Sequence, residues 1–222
     1  MNAETRQRLL GKVSYQAALV GGVALLSSTL LSLADIMTAR EIELRHDEDL
    51  KASLNQVIPT QLYDNDLLAD SLTVDQQNLV NGKLKVFRAS RDRKVQAVAY
   101  QTSVPGYAGP IVVLMAVDRD GTILGARVIS HSETPGLGDK IETAKSDWIL
   151  SFNGKSLRNP EPEQWAVRKD GGVFDQFTGA TITPRRTIGA IHAGLEFFND
   201  NKSLLLDEQA NTGDAINRKQ GE

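Results

Sequence analysis

The sequence predicts an α+β domain carried on an N-terminal transmembrane helix. Three observations predict it. The 22 residues from Val13 to Ala34 include none that ionises near neutral pH. Residues 93–130 are rich in β-branched runs broken by a tight-turn tripeptide. Helical spacing of apolar residues returns from about Thr183 to Asn199.

Composition bounds what such a chain does. Its 222 residues suffice for one domain plus a small appendage. The formal net charge of −3 gives no basic surface for nucleic acid. With no cysteine there is no disulfide, thiolate-held metal, iron–sulfur cluster or cysteine nucleophile. His46, His131 and His192 are too few for a histidine-rich metal site. Redox chemistry, if present, therefore rests on an organic cofactor or on a metal held by nitrogen and oxygen ligands.

Residues 1–12 read as a short N-terminal segment and 13–37 as the span. The apolar run of Val13 to Ala34, as a helix, reaches about 33 Å against a bilayer core of about 30 Å. Gly21-Gly22 and Ser27-Ser28 are small residues of the kind that let membrane helices approach. Arg6, Arg8 and Lys12 precede the run and Asp35 follows it. The positive-inside rule then leaves the N-terminus in the cytoplasm and the domain outside it. A cleaved signal peptide ending near Ser32-Leu33-Ala34 is the main competing reading, although the run exceeds a usual signal core of about 7–15 residues, and a buried helix of a soluble protein is the third.

Residues 38–92 read as a membrane-proximal region. Leu44, Leu50, Leu54, Val57 and Ile58 mark an amphipathic helix that Pro59 ends. Residues 60–92 look polar and irregular, with a short helix near Thr73 to Leu79. From 93 to 200 the main domain follows. "KVQAVAYQT" is a strand, and Ile111 to Val117 is apolar enough for a central strand covered on both faces. Arg119-Asp120-Gly121 is a hairpin signal that pairs Ile123 to Ser130 back against it. "SDWILSFNGK" is a short helix capped by Ser146 and stopped by Gly154. "WAVRKDGGVFDQF" suggests a strand pair about Asp170-Gly171-Gly172. Residues 201–222 read as a flexible polar tail. Gly154-Lys155-Ser156 lacks the earlier glycine of a phosphate-binding loop, and Asp118, Asp120 and Glu133 fit no calcium-loop spacing.

Two stretches ask for more than folding. In "HSETPGLGDKIE" two glycines flank an apolar Leu137, allowing close backbone approach to a flat ligand, with Glu133 and Thr134 beside it. A well-made surface turn is the plain alternative. In "DQFTGATITPRR", Thr183-Pro184 reads as an N-cap and first helical residue. Thr181 then sits just outside a helix N-terminus, where free N–H groups favour phosphate and a hydroxyl is placed to carry a phosphoryl ester. The alternative is an ordinary loop threonine. Arg185 and Arg186 fall in the first helical turn, facing a phosphate, an acidic partner or solvent.

Asp175 to Thr181, "DQFTGAT", resembles the flavinylation motif D-x-x-(S/T)-G-A-T. "ETPGLGDKIE" and Arg168-Lys169-Asp170-Gly171-Gly172 look like two further motifs, in the same order, of the FMN-binding domain in the G subunit of Rnf-type electron-transport complexes. The C subunit of the sodium-translocating NADH:quinone reductase shares this domain, but the aspartate after Gly138 and the compact length favour the Rnf relative. Arg168 stands where lysine is commoner. The resemblance implies one covalent FMN per chain, attached as phosphothreonyl-FMN at Thr181. Asp175, Thr178, Gly179 and Ala180 would form the element read by an FAD-dependent flavin transferase. Glu133, Thr134, Leu137 and Gly138 would approach the ring, Lys169 would lie near it, and Thr183 would add a phosphate hydrogen bond. It also implies a bacterial inner-membrane flavoprotein with a periplasmic domain, relaying electrons among integral membrane subunits of a translocase. No catalytic residue, metal ligand or independent turnover is expected of this chain. A flavin-free binding module and a self-contained flavoenzyme are the alternatives, and the isolation of His131 in the sequence counts against the latter.

Overall fold

A computed structural model describes residues 3–76 and 82–208. It divides into two compact units, Met1–Asp49 and Leu50–Glu222. The expected flexible tail lies for the most part at 209–222, outside the described residues. Helix α1, Ala3–Val57, begins in the first unit. Its stretch Gln16–Asp35 is 20 residues long, and none of its most apolar window is buried by protein. At about 1.5 Å per residue it matches a bilayer core of about 30 Å. The hydroxyls of Thr29 and Thr38 donate back to the carbonyls of Leu25 and Ala34 at 2.7 and 2.8 Å, so neither polar group burdens the helix surface.

The second unit is a helix-covered antiparallel meander. Strands β1 (Ser71–Gln76), β2 (Gly82–Arg91), β3 (Lys94–Pro105), β4 (Pro110–Asp118) and β5 (Ile123–Ser130) lie side by side in chain order. Helix α2, Ile182–Leu205, covers one face and the end of α1 covers the other. Alternation along the strands sorts the core. Val98, Tyr100, Val113 and Met115 face α2 with Ile188, Ile191 and Leu195. Ala97, Ala99, Leu114 and Ala116 face Leu54, Val57 and Ile58. The small side chains on the second face let α1 come close. A Cβ on Gly125 would sit 2.8 Å from the Cα of Val57. Leu50, Leu54, Val57 and Ile58 thus behave as the amphipathic stripe predicted, while the side chain of Leu44 lies outside the described residues.

Strands β3, β4 and β5 occur where the sequence predicts them. The Asp118 carboxylate accepts from the backbone N–H groups of Asp120 and Thr122 at 2.9 Å, which builds the turn and accounts for that acidic pair. Ser146 caps a 3-10 turn, Asp147–Phe152, by accepting from the Trp148 N–H at 3.2 Å.

Four expectations are corrected. The described part of the supposed helix near Thr73 is strand β1, with Leu72 and Val74 buried; residues 77–79 lie outside the description. The end of the supposed irregular region, Gly82–Arg91, is strand β2. Its pattern hides because Arg88 is buried as an ion pair with Asp70, so a charge stands where apolar alternation would be read. The segment about Asp170 is a 3-10 turn, Arg168–Asp170, closed by left-handed Gly171, and not a strand pair; only the isolated bridge Val167–Phe174 remains. Helix α2 runs past Asn199 to Leu205, whose side chain is fully buried.

Candidate functional site

The N-terminus of α2 meets the loop after β5 and the hairpin between β3 and β4 around a cavity of about 290 Å³. Its wall brings together Glu133, Thr134, Leu137, Gly138, Gly179, Ala180, Thr181 and Thr183 from two separate sequence stretches. Tyr107 and Ile182 join them. Three predicted residues do not line it: Thr178 is exposed in the adjoining turn, and Lys169 and Asp175 lie in neighbouring loops.

Glu133 builds the wall. The residue is 4% exposed; Oε1 accepts from the N–H groups of Tyr107 and Ala108 at 2.8 and 3.2 Å. Oε2 accepts from the Thr183 hydroxyl. One carboxylate therefore fastens three segments, and its lone pairs are turned inward instead of toward a ligand. Thr183 is corrected accordingly: it lies inside the first turn of α2, fully buried, and caps nothing. Thr181 is the N-cap residue, yet its side chain makes no capping hydrogen bond. An exposed hydroxyl is left at the pocket edge, beside helix N–H groups that have no intrahelical partner.

The wall packs closely at glycine. Gly138 and Leu137 both donate to the Thr134 carbonyl, at 3.0 and 3.1 Å, and Gly136 takes φ +78° to close this turn. A Cβ on Gly138 would approach the Glu133 Cβ to 2.9 Å and the Thr183 hydroxyl to 3.0 Å. The rim is apolar. Beyond the N-terminal helix, the exposed large hydrophobics among the described residues are Tyr107, Ile129, Leu137, Val173 and Ile182. Three of these five, Tyr107 (70% exposed), Leu137 (41%) and Ile182 (41%), line this one pocket. Apolar surface concentrated at a concave site marks a place for a ligand. Tyr107 escaped the sequence reading because the signal was only its position in a Pro105–Pro110 turn.

The flanking loops are tied to this centre. Arg185 pairs with Asp170 through two bonds of 2.6 and 2.8 Å, joining the Arg168–Gly172 loop to the first turn of α2. That bond holds the Asp170 carboxyl below its usual range and raises the guanidinium. Asp175 pairs with Arg168 at 3.0 Å, and its carbonyl accepts from Trp148 Nε1 at 2.8 Å. Nor is His131 isolated: its Nδ1 accepts from the Glu133 N–H at 3.0 Å and its Nε2 lies 2.7 Å from Glu142. The pair faces a different cleft, so it supplies no acid–base group to the pocket of Thr181.

The residues present suit a phosphate-bearing, flat aromatic group such as FMN. A free hydroxyl and helix N–H groups line it together with the apolar side chains of Tyr107, Leu137 and Ile182, and glycine stands where a side chain would collide with the wall. The family model and the curated relatives agree. Residues 106–196 match the family described as FMN-binding domain. The chain is 53% identical over 188 residues to the G subunit of the ion-translocating oxidoreductase complex of Cereibacter sphaeroides, covering 85% of each chain. It is 49% identical over 186 residues to the protein of the same name from Stutzerimonas stutzeri, covering 84% of this chain and 81% of that one. A solved structure, that of the C subunit of the Na(+)-translocating NADH-quinone reductase of Parabacteroides distasonis, aligns at 25% identity over 55% of this chain and 64% of that chain, with a TM-score of 0.42.

Proposed function

The chain belongs to the family of G subunits of ion-translocating oxidoreductase complexes, and we propose that it serves there as a membrane-anchored electron relay whose FMN is esterified to Thr181. Its FMN-binding domain makes it a flavin-binding subunit of such an oxidoreductase complex. The observation that carries the finer reading is Thr181 itself: an exposed hydroxyl at a helix N-terminus, unspent on capping, on the wall of an apolar-rimmed pocket.

FMN, when bound, supplies one- and two-electron redox chemistry that the protein positions and tunes. The chain's residues divide the work of holding it. The start of α2 favours a phosphate through its free N–H groups and dipole. Leu137, Ile182 and Tyr107 offer apolar surface to a ring, while Gly138, Gly179 and Ala180 keep side-chain bulk out of its way. Thr134 offers a polar group at the edge, and Lys169 contributes positive charge from the adjoining loop. Glu133 and Thr183 act by holding the walls together.

Attachment requires a flavin transferase that uses FAD. The Thr181 oxygen forms a bond to the FMN phosphorus, the P–O–P link of FAD breaks, AMP leaves, and the threonyl proton is lost. Asp175, Thr178, Gly179 and Ala180 form the element that this partner reads. The apolar helix anchors the chain in the bacterial inner membrane, with the N-terminus cytoplasmic and the domain periplasmic; the charges of Arg6, Arg8 and Lys12 ahead of the helix support that orientation. Covalent attachment keeps the flavin where free FMN is scarce. Electrons then pass between this flavoprotein and other integral membrane subunits, coupled to ion movement by the complex.

Mass spectrometry of the full chain, produced with a flavin transferase, tests this. The expected result is one FMN surviving denaturation, mapped to Thr181. A bare Thr181 under those conditions overturns the reading.

A further inference from the structure

On the sheet face covered by the end of α1, a second cleft of about 610 Å³ opens beside β5, lined by Ser53, Gln56, Arg127, Ser130, His131 and Glu142 among others. Arg127 stands opposite Leu114 in the β4–β5 ladder and so points to the α1 side of the sheet. Its Nε is buried with no hydrogen-bond partner. Its Nη1 donates only to the neighbouring Ala126 carbonyl, at 2.7 Å. No carboxylate among the described residues pairs with it. Desolvation pushes this guanidinium below its ordinary pKa, as burial of a cation without a counter-charge does. Arg88, a more deeply buried cation of the same sheet, is treated in the opposite way, with Asp70 and the Asp207 carbonyl as partners. A partly desolvated charge left unpaired costs stability that a ligand of opposite charge recovers.

The cleft is not built for acid–base work. Nδ1 of His131 accepts from a backbone N–H and Nε2 is engaged with Glu142, so neither nitrogen is free to move a proton. We propose that the cleft is a carboxylate-binding site with Arg127 as its anchor. The planar guanidinium matches a carboxylate in shape and charge. Glu142, which also lines the cleft, repels a dianion more than a monoanion, which favours a carboxylate over phosphate. Ser130 and Gln56 provide further polar groups. A free small carboxylate and an acidic side chain of another subunit share this chemistry. None of the cleft's residues lines the Thr181 pocket, so the site stands independently of the flavin reading.

The test uses the full chain in detergent and the assembled complex, each as wild type, Arg127→Met and Arg127→Lys. Thermal unfolding is compared in sodium acetate, sodium chloride and sodium phosphate at equal ionic strength. A free carboxylate ligand raises the wild-type Tm in acetate over chloride by more than it raises that of Arg127→Met, whose rise reports only the general salt effect. A partner's acidic side chain leaves acetate silent but makes Arg127→Met lose its companion subunits on purification, by roughly thirty-fold or more in affinity. Arg127→Lys, which keeps the charge and loses the fork, falls between and carries both readouts if the methionine variant does not fold. FMN content stays at the wild-type level in either case. Acetate without an Arg127-dependent effect together with an intact complex overturns the proposal, as does a stabilisation by phosphate that Arg127→Met removes and that exceeds the one it removes in acetate.

Discussion

The Thr183 hydroxyl donates to Glu133 Oε2, joining the first turn of α2 to the loop after β5 across 50 residues of chain. Both groups are buried, and the same carboxylate holds the Tyr107 turn. Thr183→Val keeps the shape and removes the donor, leaving a buried acceptor short of a partner. We expect a loss of about 1–3 kcal/mol in urea unfolding. Unchanged stability would mean that this bond does not hold the wall together.

Thr181 contrasts with Thr183 two residues later. Being exposed and uncapped, Thr181→Val should change stability by no more than about 0.5 kcal/mol. The same substitution should abolish covalent flavin. In-gel fluorescence of the denatured variant checks this, and a bright band would rule Thr181 out as the attachment point.

Two glycines in one turn should fail for different reasons. Gly138→Ala forces a Cβ against Glu133 and Thr183 in a backbone conformation any residue adopts, φ −88°. It should cost about 1–3 kcal/mol by overpacking. Gly136 has open space but φ +78°, so Gly136→Ala should cost about 1–2 kcal/mol through left-handed backbone alone. Calorimetry of the Gly138→Ala, Thr183→Val double variant separates them further: it should be non-additive, while Gly136→Ala with Thr183→Val should be additive.

The Asp170–Arg185 pair predicts an acid-side effect of known sign. The hydrogen bond from Arg185, aided by its charge and that of Lys169, lowers the folded-state pKa of Asp170 against an opposing desolvation cost. Its contribution is therefore present above the unfolded value of about 3.9 and disappears as pH falls through the lower folded value. The Tm of wild type should exceed that of Asp170→Asn at neutral pH, with the gap closing at the acid end. The gap is small because the pair is exposed. A gap that widens on acidification would contradict the assignment.

Where local pattern equals local environment, the sequence reading and the structure agree. Ile111–Val117 is apolar throughout because β4 is covered on both faces, and Ser146 caps because its own turn needs an acceptor. β2 is hidden in the sequence because Arg88 reads as a surface residue until the pairing of β1 with β2 brings Asp70 beside it. Thr183 reads as a cap for the same reason. Thr-Pro is a helix-start signal, but the partner that recruits its hydroxyl, Glu133, comes from another part of the chain.

Length of apolar run, strand alternation, turn tripeptides and the family motifs are properties of neighbouring residues, so the linear chain alone dictated the anchor, three of the five strands, the last helix and the cluster of threonines at its start. Which threonine is buried as a bracket and which is left exposed, that Tyr107 completes the rim, and that Arg127 faces a cleft without a counter-ion depend on groups far apart in the chain. Those choices were made by packing, because a hydrogen bond or an unpaired charge exists only once folding has selected its neighbours.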